Sequence, residues 1–309
     1  MTGIELSKPP PAGIYVPVPT FFASKTAQNY DPISPPVDID AQVAHSVYLA
    51  KAGIRGLVVL GSTGEAIHLR ADERGLILAQ NIEEVVEQLV VAKESGANWG
   101  LVLVPGYFAG CTSQDGLVRW FTAVADRSPL PVMIYHYPGV SNNVKVAPST
   151  YVTLAQHPNI VGCKLSHGDL SHHCLIASNP AIDHEHFFTF TGLGQQLLPV
   201  IAVGGAGAID GSAGFFPRTV VRLYELSREP RPTDEQLSER RRLQFKVSSV
   251  EELVVGYGTV GIKEATSRLR GFGDVDGARA PLAAGMGDWE KWDEIISAAE
   301  EEERRLGGE

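Results

Sequence analysis

Lys164 closes the apolar run Asn159-Ile160-Val161-Gly162-Cys163, and a Gly-Asp pair, Gly168-Asp169, follows it. A lysine is rarely fully buried without a partner, and burial disfavours an ammonium and favours the neutral amine that attacks carbonyl carbon. The alternative is a lysine whose stem packs while its head reaches water. Three neighbouring strand ends weigh against that alternative. Tyr135 ends the preceding apolar run within Tyr135-His136-Tyr137-Pro138, where a phenol beside an amine can relay the protons that imine formation requires. Gly61-Ser62-Thr63-Gly64-Glu65 ends an earlier run with a tight turn, whose N–H groups and two hydroxyls suit a carboxylate. Pro105-Gly106-Tyr107-Phe108 ends a third. Each tyrosine alone reads as rim packing; the four placements together read as carbonyl chemistry.

Short apolar runs alternate with helical patterns, the signature of α/β architecture with parallel strands. Strands are expected at Gly13–Pro17, Gly56–Leu60, Trp99–Val104, Val132–Tyr135, Ile160–Lys164, Phe187–Thr191 and Gly207–Ile209. Helices are expected at Ile39–Ala52, Ala71–Gln88, Gln114–Asp126, Pro148–Gln156 and Gln195–Val203. Beyond Thr233 only helical patterns remain, at Gln236–Val255, Thr259–Leu269 and Asp288–Glu303. The pattern fits a TIM (β/α)8 barrel over residues 12–230 with a C-terminal helical domain over 231–309. A doubly wound sheet is the weaker option, since Gly61–Glu65 is not the phosphate fingerprint such a sheet carries. Seven strands are legible where a barrel has eight. Either Val90-Val91-Ala92 supplies the missing one or the third β/α unit is truncated. The Pro-rich stretch Asp31–Asp38 reads as a surface loop.

A net charge of −10 over 309 residues argues against sequence-independent nucleic-acid binding. The acidic Glu300–Glu303 run reads as a solvated helix end. No apolar run is long enough for a membrane span, and the N-terminus shows neither a signal core nor a transit pattern, so a cytoplasmic protein is expected. Cys111, Cys163 and Cys174 lack zinc spacing and suggest a reducing compartment. Cys163 is expected to face away from Lys164, and His136 away from Tyr135. His167, His172 and His173 follow Lys164 without a metal-ligand spacing, so no metal is expected.

Gly61–Glu65, Tyr135–Pro138, Gly162-Cys163-Lys164 and Gly204-Gly205-Ala206-Gly207-Ala208-Ile209, in this order, resemble the dihydrodipicolinate synthase / N-acetylneuraminate lyase superfamily from about Gly13 to Leu282. The resemblance implies class I aldolase chemistry in a homo-oligomer, a dimer or a tetramer, with no cofactor beyond the covalent imine. It implies that Lys164 forms the Schiff base with pyruvate or a pyruvoyl-containing substrate. Tyr135 would serve as acid and base, Ser62 and Thr63 would hold the carboxylate beside Gly61, and Tyr107 would match a tyrosine lent by a neighbouring subunit. Ile209 would line the pocket through its backbone, joined by Gly192 and Val140. Gly261-Ile262-Lys263-Glu264-Ala265-Thr266 copies the lysine motif common in dihydrodipicolinate synthases, but it falls in the helical region, so Lys263 is expected on a helix surface.

Val140 stands where dihydrodipicolinate synthases usually carry an arginine, and an apolar residue cannot replace a bidentate carboxylate clamp. The acidic pair usual in sialic acid lyases is missing from Gly192-Leu193-Gly194-Gln195-Gln196. The segment from Ala125 to Asp169 looks closest to 4-hydroxy-2-oxoglutarate aldolases and their deoxy-keto sugar-acid relatives. The expected substrates are therefore pyruvate with an aldehyde, or the 2-oxo acid they form. Alternatives are a dihydrodipicolinate synthase-type condensation, a dehydratase using the same lysine, and a non-catalytic relative with an incomplete barrel.

Overall fold

A computed structural model describes residues 6–31, 34–65, 68–69, 82–282 and 285–308. The chain divides into two compact units, one of residues 1–12 with 75–208 and one of residues 13–74 with 209–309. The architecture is α/β as expected: parallel strands alternate with helices, and the C-terminal stretch is helical.

The first unit contains β3 (Gly100–Leu103), β4 (Val132–His136), β5 (Ile160–Leu165) and β6 (Phe188–Thr191), with Gly207 and Ala208 of β7 (Gly207–Ile209). They pair in parallel in sequence order. Helices α2 (Ile82–Glu94), α3 (Gln114–Arg127), α4 (Pro148–Leu154), α5 (Leu170–Ala177) and α6 (Leu197–Ala202) connect them. Val132 and Ile134 of β4 and Cys163 and Leu165 of β5 join Leu117, Phe121, Tyr151 and Ile176 in one buried core. Because side chains alternate along a strand, Tyr135 and Lys164 face the other way. Gly162 is required at its position, since a β-carbon there would collide with the Phe188 carbonyl of the neighbouring strand.

Val90-Val91-Ala92 lies inside α2, so it is not the missing strand. Among the described residues no strand stands between β2 (Gly56–Val58) and β3. The start of the helix expected at Ala71–Gln88 lies outside the described residues.

The second unit contains β1 (Gly13–Pro17) and β2 (Gly56–Val58), paired in parallel, with α1 (Ile39–Lys51) between them. Asp38 caps α1 by accepting from the Ala41 N–H at 2.9 Å. Helices α7 (Pro217–Arg228), α8 (Asp234–Arg270) and α9 (Asp293–Gly307) complete it. The two helices expected between Gln236 and Leu269 are present: α8 is two helices that meet at a break where Gly258 leaves helical geometry.

Two expectations are corrected here. Lys263 is not on the surface: it is 3% exposed, ion-paired with the buried Glu65 carboxylate, and donates to the Gly277 carbonyl at 2.9 Å. Nor is Glu300–Glu303 a solvated end. Glu303 is buried and accepts from the Arg218 and Thr219 N–H groups at 2.9 and 2.8 Å, and so caps the N-terminus of α7. Glu300 holds Arg270 through both carboxylate oxygens. Lone sequence charges read as solvated because their partners lie far along the chain.

Candidate active site

Register places the central pair. Tyr135 on β4 is the direct partner of Lys164 on β5, and side chains opposite one another in adjacent strands share a face. The Lys164 Nζ lies 3.4 Å from the Tyr135 Oη and 4.5 Å from the ring centroid. Phe190, fully buried, is the register partner of Lys164 on β6. Lys164 is 5% exposed, so its amine is flanked by two aromatic residues and largely shielded from water. Tyr137, two residues on, returns to the face of Tyr135, with ring centroids 5.9 Å apart. Burial, and then Tyr135, push the Tyr137 phenol above its ordinary pKa. Sequence reasoning gave Tyr137 no role, although its two-residue spacing from Tyr135 was the available signal.

The strand neighbours fall on the opposite face, as expected. Cys163 is fully buried, and burial pushes its thiol up to about 12, so it is a packed, unreactive residue. His136 is buried against Tyr151, His167 and His172. Burial lowers all four histidines of this region, His136 to about 4 and His167 to about 3, leaving uncharged rings at neutral pH.

Gly192 closes the end of β6 against β5, its N–H donating to the Leu165 carbonyl at 2.7 Å. A β-carbon on Gly192 would fall on the Ser166 hydroxymethyl group, two residues past Lys164. Gly192→Ala should therefore cost about 1–3 kcal/mol through overpacking, read as a lower urea midpoint. Ser166→Gly in the same chain should restore most of the loss, and failure to do so would remove steric conflict as the cause. Val140 ends a 3-10 turn, Pro138–Val140, and is exposed. Tyr107 is 73% exposed in the segment after β3, its ring edge-on to the equally exposed Phe108 at 4.9 Å.

The remaining expected residues belong to the second unit. Ser62 is exposed and Thr63 half-buried in the turn after β2, beside Gly61. That turn is held from three sides. Thr20 donates to the Gly64 carbonyl at 2.7 Å, Thr259 of α8 donates to the Ser62 carbonyl at 3.0 Å, and Glu65 carries the Lys263 ion pair. Glu65 also accepts from the Arg279 N–H at 3.0 Å. Its left-handed φ of 51° is sustained by these contacts. Ile209 ends β7 and is buried, and the Asp210 N–H that follows donates to the Tyr15 carbonyl of β1 at 3.0 Å.

A buried amine touching a phenol is equipped to add to a carbonyl and to move the protons this requires. Comparison with known proteins points the same way. The model of the dihydrodipicolinate synthetase family matches residues 79–285. The chain is 34% identical over 289 residues to a protein of Emericella nidulans named "Probable 4-hydroxy-2-oxoglutarate aldolase, mitochondrial", spanning 86% of this chain and 88% of the relative. It is 30% identical over 290 residues to the L-threo-3-deoxy-hexylosonate aldolase of Hypocrea jecorina, spanning 85% and 88%. Among solved structures, it superposes with a TM-score of 0.74 at 25% identity on YagE, a prophage protein of E. coli K12 belonging to the dihydrodipicolinic acid synthase family and solved in complex with pyruvate. That match covers 96% of this chain and 98% of the other.

Proposed function

Since the chain belongs to the dihydrodipicolinate synthetase family, we propose that it is a class I, pyruvate-dependent aldolase that cleaves or forms the bond between pyruvate and an aldehyde. Its substrate in this reading is 4-hydroxy-2-oxoglutarate or a 2-keto-3-deoxy sugar acid. The observation that carries the reading is the 3.4 Å contact between the Lys164 amine and the Tyr135 hydroxyl on a shielded strand face.

The Lys164 amine adds to the 2-oxo carbon and water leaves, giving an imine. The C3–C4 bond then breaks as the 4-hydroxyl gives up its proton, and the imine receives the electron pair. The aldehyde departs, the enamine is protonated at C3, and hydrolysis returns pyruvate and the free amine. Tyr135 is the proton carrier in these steps. The family resemblance assigns Ser62 and Thr63, beside Gly61, to the substrate carboxylate, and gives Ile209 and Gly192 the part of lining residues. The chemistry needs no metal, because the protonated imine is the electron sink.

Residues 12–230 carry the reaction in this reading, and residues 231–309 form a C-terminal helical domain. The exposed Tyr107–Phe108 pair supports a homo-oligomer, dimeric or tetrameric, in which Tyr107 is lent to a neighbouring copy. No helix among the described residues is long and apolar enough to cross a membrane; a cytoplasmic location is part of the proposal.

Val140, exposed where a carboxylate clamp would be needed, favours cleavage over condensation with aspartate semialdehyde. A panel of 2-oxo acids scored for pyruvate release tests the assignment. Release from 4-hydroxy-2-oxoglutarate or a 2-keto-3-deoxy sugar acid is expected. Dehydrated product without pyruvate, or condensation with aspartate semialdehyde as the only turnover, would overturn it.

A further inference from the structure

We propose that His136, His167 and His172 form a binding site for a divalent ion of the imidazole-preferring kind, zinc first among them. The three come from separate places in the sequence, the end of β4, the segment after β5 and the first turn of α5, yet one ring nitrogen from each lies within 4.8 Å of the other two. Ring centroids are 5.0 Å apart for His136–His167, 5.6 Å for His136–His172 and 5.0 Å for His167–His172. The His167 Nε2 and His172 Nδ1 are already 3.0 Å apart. Two imidazoles on a tetrahedral zinc, at about 2.0–2.1 Å each, stand roughly 3.3 Å from one another.

The outer contacts orient two of the three rings for ligation. The His136 Nε2 meets the Val144 carbonyl at 3.1 Å and the His172 Nε2 meets the Val146 carbonyl at 2.9 Å. A carbonyl only accepts, so both Nε2 atoms carry hydrogen and both Nδ1 atoms present lone pairs. This is the arrangement that fixes tautomer and ring angle in metal sites. The His136 Nδ1 is buried and finds no hydrogen-bond partner, a condition a bound cation would relieve. His167 is the ring that must change. Its Nδ1 accepts from the Asp169 N–H at 3.3 Å, so its Nε2 proton now bridges to His172. Metal entry requires the His167 tautomer with its proton on Nδ1, so the long bond from the Asp169 N–H and the bridge to His172 are both given up, and the Nε2 of His167 and the Nδ1 of His172 take coordinate bonds instead. Three imidazoles leave a fourth position for water.

His136 and Leu165 face away from the Tyr135–Lys164 side of their strands. The ion would thus tie the segment following the lysine strand to the end of β4 without touching the reacting carbonyl. The site is independent of the aldolase reading, and its expected effect is on stability.

Metal-stripped full-length protein titrated with zinc chloride at neutral pH should take up one ion per chain with a higher melting temperature. Cobalt(II) should give the visible bands of a four-coordinate site. His167→Ala with His172→Ala should lose the equivalent, and His173→Ala, which removes a neighbour outside the trio, should keep it. His172→Gln retains a donor for the Val146 carbonyl and serves where the alanine pair does not fold; it too should weaken uptake at least tenfold. Absence of saturable binding, or one equivalent that persists in the folded ligand variants, would overturn the site.

Discussion

Lys164→Ala should abolish the borohydride-trapped pyruvate adduct and lower kcat/KM by about 10⁴-fold or more, the scale on which removal of a covalent nucleophile is felt. The loss is expected to be this large because no neighbouring group substitutes for the amine. Tyr135 and Phe190, its register partners, carry no nitrogen nucleophile, and Lys263 holds its own buried carboxylate. Tyr135→Phe separates the two roles. Without the phenol the amine remains, so the adduct should still form, more slowly, while turnover falls by about 10²–10⁴-fold, the usual range for a positioned acid–base group. Mass mapping of the reduced adduct decides between the lysines. Label on the peptide containing Lys164 is expected; label on Lys263, or an undiminished adduct in a folded Lys164→Ala protein, would falsify the assignment. Circular dichroism of each variant establishes that the fold survives, since Lys164 is buried and its stem fills space beside two aromatic rings.

The Lys164–Tyr135 pair was legible in the sequence because strand periodicity is local. An apolar run with a polar residue at its end specifies both the strand and the face, and register between neighbouring parallel strands then brings the ends together. The same local logic placed Cys163 and His136 on the opposite face. What the sequence concealed depends on distant partners. Lys263 sits in a helix whose pattern gives no sign that Glu65, nearly two hundred residues earlier, is waiting as its counter-ion. Glu303 looked solvated until α7 presented its unpaired N–H groups. Val90-Val91-Ala92 has strand-like composition but continues a helical run to Glu94, and an apolar triplet alone does not distinguish the two. His136 lay too far from His167 and His172 for any ligand spacing to show, although all three ring systems meet in space.

Lys263→Ala is expected to destabilise the protein by about 3–5 kcal/mol while leaving the pyruvate adduct on Lys164 intact. The magnitude follows from what remains behind. Glu65 is buried, and without its ammonium partner the carboxylate keeps the Arg279 N–H and the nearby His68 ring but loses its ion pair, a disruption of the kind that costs this much. The aromatic ring of Phe22, 4.4 Å from the Lys263 Nζ, would lose one of its two cations, the Arg279 guanidinium remaining at 4.4 Å. The pair itself is worth far less than its disruption, because both charges were desolvated to form it. Lys263→Met combined with Glu65→Gln should therefore recover a large part of the loss, which a double-mutant cycle in urea would register as a coupling of several kcal/mol. Glu65 also anchors the turn that carries Ser62 and Thr63, so, on the proposal that these two hold the substrate carboxylate, its partner's removal should raise KM for the 2-oxo acid. A single-variant cost below about 1 kcal/mol, the range of an exposed ion pair, would show that the charge is not confined as its burial indicates.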